Sequence, residues 1–308
     1  MGSRKALGTV ALALAAAVLA AGVLLLGSIR WTGLGVQIAP HTLAPSIAGP
    51  PHTVRQSTAV APGALITVVA PVGSVTVATT RSSHRVSATA RLYGGQRLSL
   101  RPAAAGGGLA ITLQMPGASQ QNCLMFCGLN LPGSPGSAGE GSHLWIRVPA
   151  GVQVDVRVAV GTLSVSGQYA RFSADSQLGS ITASHITAPV LSLTDQAGTL
   201  AVTDASAAQQ LTLSAQAGTI RYQGTLGRTA VITDQAGSIR LQVEPLHLTD
   251  ATVTVTARQL TSGFPGLSGG GFGTHQGQIG RGPPGGVLTV TAQVGAVTIG
   301  PWAGAPPG

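Results

Sequence analysis

The chain has 308 residues, of which 44% are hydrophobic but only 3% aromatic, so a folded core must be built from aliphatic side chains. Valine, isoleucine, leucine and threonine alternate with small polar residues between frequent glycines and prolines, which is typical of short strands and argues against long helices after the N-terminus. The net charge of +9 is concentrated in the first half, because no carboxylate precedes Glu140.

The first 30 residues are predicted to form a single-pass signal-anchor helix. Ala6–Ile29 is an uncharged, mostly apolar run, long enough to cross the ~30 Å hydrocarbon layer of a membrane. Arg4 and Lys5 precede it, so the positive-inside rule places Met1 in the cytoplasm and the rest of the chain outside. A cleaved signal peptide is the alternative, and it would export the chain equally well. We therefore expect a cell-membrane protein with an extracytoplasmic C-terminal domain.

The exported part is divided by its composition. Residues 31–57 are rich in proline, glycine and alanine without sustained periodicity, which indicates a spacer. Strand-like alternation begins near Val60, and we assign residues 58–300 to one repeat domain and residues 301–308 to a flexible tail. Residues 116–143 and 258–286 interrupt the alternation and are interpreted as loop insertions.

A glycine recurs through the domain at intervals of 18, 19, 20 and 19 residues, counted from Gly161 to Gly237. Aliphatic residues stand two and four positions after each of these glycines, and further inward-facing residues stand seven and five positions before it. A period near 19 residues predicts an all-β, parallel β-helix-like solenoid, with a glycine at a corner of each rung where close packing or a left-handed backbone excludes a side chain. The predicted corner glycines are Gly73, Gly161, Gly179, Gly198, Gly218, Gly237 and Gly295.

The sequence also resembles a known family. The block Leu144–Val154 reads Leu-Trp-Ile-Arg-Val-Pro-Ala-Gly-Val-Gln-Val, and repeats of the form Gly-Ser/Thr-aliphatic-x-aliphatic follow it. This pattern resembles the bacterial putative adhesin domain family, and Val60–Ile66 followed by Gly73–Val77 is similar to how such domains begin. The resemblance covers roughly Thr53–Gly300. It implies a parallel β-helix-like fold with a role at the cell surface, and it supplies no catalytic residue.

Few residues have the spacing of a metal or catalytic site. Cys123 and Cys127 are predicted to form a local disulfide in an exported loop, with two free thiols as the alternative. With only His143 near them, they do not supply the four ligands of a zinc site, and we expect neither a metal nor a cofactor. The seven histidines are scattered and lack neighbouring carboxylates that would orient a catalytic base.

A group of arginines is the candidate ligand-binding site. In the segment from Arg85 to Arg91, strand alternation points both arginines outward. If Gly94 and Gly95 close a hairpin, the arginines of the following strand share the same face. The lack of neighbouring carboxylates favours an anionic partner such as an envelope polymer, although exposed arginines are also common on solvated surfaces. The candidate residues are Arg85, Arg91, Arg97 and Arg101.

These features predict a non-catalytic, membrane-anchored bacterial cell-surface protein, which acts as an adhesin or as a binding or spacer module and is held in the membrane by Ala6–Ile29. An envelope-stress or signalling accessory acting through a membrane partner is the first alternative. A polysaccharide-active β-helix enzyme is the second, and the sparse acidic residues disfavour it. Nucleic acid is not an expected partner, because the exported domain lacks aromatic residues interleaved with its basic ones.

Overall fold

The computed structural model describes residues 50–81, 84–103, 108–114, 142–243, 251–264, 266–267, 272–279 and 286–302. Within these ranges every regular element is a β-strand. None of the described residues forms a helix long and apolar enough to cross a membrane. The predicted membrane segment Ala6–Ile29 and the predicted disulfide between Cys123 and Cys127 lie outside the described residues, so both remain predictions.

Fifteen strands occur in the described ranges, and they belong to one hydrogen-bonded sheet. In chain order they are β1 (His52–Ala59), β2 (Leu65–Thr80), β3 (Arg85–Leu92), β4 (Arg97–Pro102), β5 (Leu109–Gln114), β6 (His143–Pro149), β7 (Gln153–Gln168), β8 (Arg171–Thr187), β9 (Val190–Ser206), β10 (Gln210–Thr225), β11 (Thr229–Val243), β12 (Ala251–Ala257), β13 (Gln259–Ser262), β14 (Gly273–Ile279) and β15 (Gly286–Pro301).

Seven long strands form the repeating part of the fold. Strands β2, β7, β8, β9, β10, β11 and β15 pair in parallel in that order, which confirms the predicted stacking of rungs. The seven predicted corner glycines are in register from one strand to the next, from Gly73 paired with Gly161 to Gly237 paired with Gly295. The described repeats are therefore a solenoid-like stack whose period is set by the glycine.

Each long strand bends at its glycine. In β8, Phe172, Ala174 and Ser176 are buried in strict alternation, but the next buried side chain is Ile181, five residues further on. The inward and outward positions thus change phase around Gly179, and the chain turns a corner there. We call the part of each long strand before the glycine its first arm and the part after it its second arm.

The core is aliphatic, as the composition predicts. All ten of the predicted inward residues that follow the five central glycines are at most 1% exposed, as are Val154 and Val156 in the first arm of β7. One rung cannot bury enough apolar surface to offset an ordering entropy of ~1–2 kcal/mol per residue, so stability comes from the stacking of rungs. A single rung is therefore not stable by itself and depends on its neighbours in the stack.

The two ends of the stack differ from a simple parallel solenoid. Strands β1, β3 and β6 extend the second arm of β2, and the pairs β1–β3 and β3–β6 are antiparallel. Strands β4 and β5 extend the first arm of β2, and β12 with β14 covers the other end of the stack. An end strand of a parallel stack exposes unpaired backbone groups, and these additional strands pair with them.

Three predicted boundaries need correction. Strand β1 begins at His52, so the end of the predicted spacer, residues 31–57, belongs to the folded domain. The predicted loop insertion at residues 258–286 contains β13 and β14, because short strands interrupted by glycines lack an alternation long enough to recognise. Strand β15 continues to Pro301, into the predicted tail.

Candidate functional site: a basic face on the end strands

The predicted outward orientation of Arg85 and Arg91 is confirmed. Both lie on β3, where Val86, Ala88 and Ala90 are fully buried between them, while Arg85 is exposed and Arg91 is half-buried. The two arginines therefore lie on the outer surface of the end strands, and they do not contribute to the aliphatic core.

The expectation that Arg97 and Arg101 share this face through a β3–β4 hairpin is wrong. Strand β3 pairs with β1 and β6, whereas β4 pairs with β5, so the two strands belong to different branches of the sheet. Between them, the amide N–H of Tyr93 donates to Oε1 of Gln96 at 3.1 Å, and both residues are buried. This buried turn leads the chain from one branch to the other instead of closing a hairpin.

Two arginines that the sequence did not single out occupy the face instead. On β1, Arg55 is exposed and pairs with Thr89 of β3, which in turn pairs with Trp145 of β6. On β6, Arg147 is exposed two residues after Trp145 and pairs with Ser87. Neighbouring strands lie ~4.8 Å apart, so these side chains emerge close together from adjacent strands. We call the outward side of β1, β3 and β6 the basic face, and its residues are Arg55, Arg85, Arg91, His143, Trp145 and Arg147.

Contacts within the basic face hold several of its side chains in place. The guanidinium of Arg85 donates a hydrogen bond to Oγ of Ser57 at 3.2 Å. The guanidinium carbon of Arg91 lies 5.7 Å from the ring centroid of Tyr93, within the range of a cation–π contact. The rings of His143 and Trp145 are stacked with centroids 5.4 Å apart, and Trp145 remains 43% exposed. The aromatic surface is thus presented to solvent with restricted freedom.

A shallow groove of about 690 Å³ crosses the face and is lined among others by Arg55, Thr89, Trp145 and Arg147. The arginines of β1 and β3 belong to a stretch of sequence without any carboxylate, because Glu140 is the first acidic residue in the chain. The structure shows no ion pair for Arg55 or Arg147 among its described residues. Clustered positive charge attracts anions, and a groove with low-dielectric walls strengthens the attraction.

A second groove, of about 890 Å³, lies on the outer side of the first arms and differs in charge. Its lining includes Asp155, Arg157, Asp175 and Gln196. Because Arg157 and Asp155 form an ion pair at 3.4 Å, and Asp175 adds a further negative charge, this groove does not select ligands of one sign as the basic face does. It is therefore the weaker candidate for a charged ligand.

Two carboxyl groups lie inside the stack. Asp195 and Asp234 are at most 1% exposed and occupy the same inward position two rungs apart, with Ala215 between them. Burial raises the pKa of each carboxyl group above its usual value. A hydrogen-bonding interaction with the side chain of Ser176 partly opposes this rise for Asp195, and one with the backbone of Ala236 does so for Asp234. The described residues contain no group of three potential metal-ligating side chains.

One sequence motif of hydrolases was missed in the analysis of the sequence. Gly266–Gly270 reads Gly-Leu-Ser-Gly-Gly and fits the pattern Gly-x-Ser-x-Gly. In the hydrolases that use this motif, the serine lies on a sharp turn from a strand to a helix. Here the described elements on either side are the strands β13 and β14, and Ser268 itself lies outside the described residues. A pair of flanking strands is not the strand-to-helix context in which the motif occurs in those hydrolases.

The fold and the face together define the class of this molecule: a parallel β-solenoid-like repeat protein with antiparallel end strands and a basic outer face. The chain belongs to the family described as Toastrack DUF4097, whose model matches residues 73–259. This confirms the resemblance to bacterial adhesin domains, in a family whose function is unknown.

Two solved structures are similar to this chain. A putative cell adhesion protein from Clostridium sporogenes ATCC 15579 has 9% identity and a TM-score of 0.39, covering 82% of this chain and 100% of its own. A putative adhesin from Bacteroides fragilis NCTC 9343 has 10% identity and a TM-score of 0.27, covering 80% of this chain and 97% of its own. No curated protein matches this chain significantly.

Proposed function

We propose that this chain is a non-catalytic, membrane-anchored bacterial cell-surface protein that binds an anionic polysaccharide of the cell envelope through its basic face. One observation carries the proposal: four arginines from three strands lie on the same surface. The described residues of those three strands include no carboxylate. Like charges on adjacent strands destabilise a sheet slightly, and an anionic ligand would relieve this repulsion.

The aromatic residues of the face favour a sugar over a simple anion. Trp145 presents an exposed indole ring between Arg147 of its own strand and Arg55 two strands away. An indole surface packs against the apolar C–H side of a pyranose ring, while neighbouring guanidinium groups form charge-assisted hydrogen bonds with carboxylate or phosphate substituents. The proposed ligand is therefore a polysaccharide that carries an anionic group on its repeating unit.

The membrane anchor in the proposal rests on the sequence alone. Ala6–Ile29 has the length and apolarity of a membrane-spanning helix, and the basic residues before it favour a cytoplasmic N-terminus. In that arrangement the folded domain, which starts at β1, follows the anchor in the chain and lies outside the cell, where envelope polymers occur.

The proposal is tested with the full-length chain in neutral detergent and immobilised polygalacturonate, a linear polysaccharide with one carboxylate per sugar. One variant replaces Arg55, Arg85, Arg91 and Arg147 by Gln. Its matched control replaces four exposed arginines elsewhere, namely Arg97, Arg101, Arg171 and Arg228, and so removes the same charge. Both variants are compared with the wild type at low ionic strength.

We expect the face variant to bind roughly 30-fold more weakly, from about 0.5 kcal/mol for each exposed charge contact, and the control variant to bind nearly as the wild type does. Equal loss in both variants would show that binding follows net charge and would overturn the assignment of the face. Retention on anionic lipid vesicles, with none on polygalacturonate, would replace the polysaccharide by a membrane surface as the ligand.

A further inference from the structure

The outward side of the second arms continues the basic face along the whole stack. In-register pairing connects Trp145 of β6 to the same outward position of every following rung. The residues of this row are Trp145, Thr76, Ser164, Thr182, Ala201, Arg221 and Arg240. The row therefore runs from the basic face to two further arginines, which Thr298 of β15 follows.

The two distant arginines form a second positive cluster. Arg221 and Arg240 are paired residues of β10 and β11, both are exposed, and buried Ile220 and Ile239 precede them. The residues on either side of the pair in the row are Ala201 and Thr298, which are too small to cover guanidinium groups. Two like charges one strand apart repel each other, so the pair favours an anionic ligand over a bare surface.

Between the two positive clusters, the outer surface of the second arms is lined with hydroxyl groups. A parallel row adjacent to the first contains Ser74, Thr162, Ser180, Thr199, Thr219 and Ser238. Some of these hydroxyls contact each other from rung to rung, as Thr162 and Ser74 do at 3.0 Å. Among the described residues of these arms, the outward positions of both rows contain no carboxylate. The two rows can thus form hydrogen bonds with a polymer without repelling its charge. The exposed carboxylate of Asp204, further along the second arm of β9, lies outside both rows and 3.6 Å from His185.

We infer that this strip binds an extended anionic polysaccharide along the axis of the stack, anchored at the basic face and again at Arg221 and Arg240. This inference rests on the proposed function and adds the length and direction of the ligand. At ~4.8 Å per strand, the six strand steps from Trp145 to Arg240 span ~29 Å, so a disaccharide reaches only one cluster whereas a long chain reaches both. A second contact on the same polymer raises its affinity through a high effective concentration.

The test compares digalacturonate with polygalacturonate, using the full-length chain in neutral detergent. The variant R221Q/R240Q should bind the polymer about fivefold more weakly and digalacturonate as the wild type does. The matched variant R171Q/R228Q should bind both ligands as the wild type does. R221K/R240K, which keeps both charges, should restore most of the polymer affinity, and equal thermal midpoints of the three variants exclude a folding defect.

Two outcomes separate this inference from the proposed function. If R221Q/R240Q binds the polymer as tightly as the wild type, while replacement of the four arginines of the basic face weakens binding as expected, the inference about the strip is wrong and the basic face alone is the site. If wild-type protein binds neither digalacturonate nor polygalacturonate, the proposed function fails, and the strip fails with it.

Discussion

An ideal Cβ placed on Gly237 would lie 1.8 Å from the carbonyl oxygen of Gly218 in the rung below. The backbone of Gly237 is not in the left-handed region, whereas Gly218 has a φ of 154° and makes the same close approach to Gly198. Six of the seven glycines approach the preceding corner in this way, and Gly73 makes its close approach to the backbone of Ser142 instead. Close packing, more than the backbone angle, is therefore what the seven glycines share.

Replacing Gly237 by Ala should lower the free energy of unfolding by more than the ~1 kcal/mol typical of point mutations, because the neighbouring carbonyl group is backbone and cannot move away freely. Gly300→Ala is the matched control, since nothing lies within 4 Å of its Cβ position and its backbone is ordinary. Urea unfolding of both variants measures the difference. Equal stability of the two variants would contradict the close approach of the Gly237 corner to the carbonyl oxygen of Gly218.

The pH dependence of stability should report the buried carboxyl groups. Burial raises the pKa of Asp234 above its usual value of 3.8, so the folded state binds the proton more tightly than the unfolded state does. The resulting stability is fully present below pH 3.8 and is lost as the pH rises through the pKa of the folded state. Wild-type protein should accordingly become less stable from acidic towards neutral pH.

Asp234→Asn and Asp234→Ala should both reduce this pH dependence, because neither side chain ionises. Alanine already occupies the equivalent inward position in the neighbouring rungs, as Ala215 and Ala292. The slope of unfolding free energy against pH is the readout, since a buried amide changes stability at every pH alike. Slopes identical to that of the wild type would show that folding does not raise the pKa of Asp234.

Trp145 should report ligand binding directly. Its indole ring is 43% exposed, so a sugar packed against it should shift its fluorescence emission to shorter wavelength. Trp145→Phe should abolish the shift and keep part of the affinity, whereas Trp145→Ala should lose more affinity than Trp145→Phe. Trp302→Phe serves as the control for emission from the other described tryptophan. A shift that persists in Trp145→Phe would place the ligand elsewhere.

The membrane topology has a simple test in intact cells. Protease added outside should degrade the folded domain, while the mature chain should still begin at Met1 or Gly2, because Ala6–Ile29 is predicted to remain as an anchor. N-terminal sequencing after membrane fractionation gives the answer. A mature chain that begins beyond Ala20 would instead show a cleaved signal peptide.

The rungs were predictable because their pattern is local. The period of the glycines places Gly161 above Gly179, and spacing of two assigns residues such as Leu163 and Val165 to the core without knowledge of any partner strand. The same alternation correctly oriented Arg85 and Arg91. Information within about 20 residues of sequence was enough for these features.

The basic face was only partly predictable because it depends on strand pairing across long distances in the chain. Arg55 and Trp145 lie in the same row only because both pair with Thr89 of β3. An alternating sequence does not show which strand it pairs with, nor whether that pairing is parallel or antiparallel. Arg97 was misplaced because two consecutive glycines suggest a hairpin, whereas Leu98 pairs with Leu113 and both are buried in the other branch of the sheet. The partner of a strand, and not its pattern, decides these positions.

We propose that the basic face recognises the negative charge of a polysaccharide. The most direct measurement compares polygalacturonate with its fully methyl-esterified form, which has the same backbone without the charges, at several salt concentrations. We expect little binding to the ester, and binding to the charged polymer that weakens as salt rises, because salt screens exposed charges over ~8 Å at physiological ionic strength. Equal affinity for both polymers, independent of salt, would contradict the proposal.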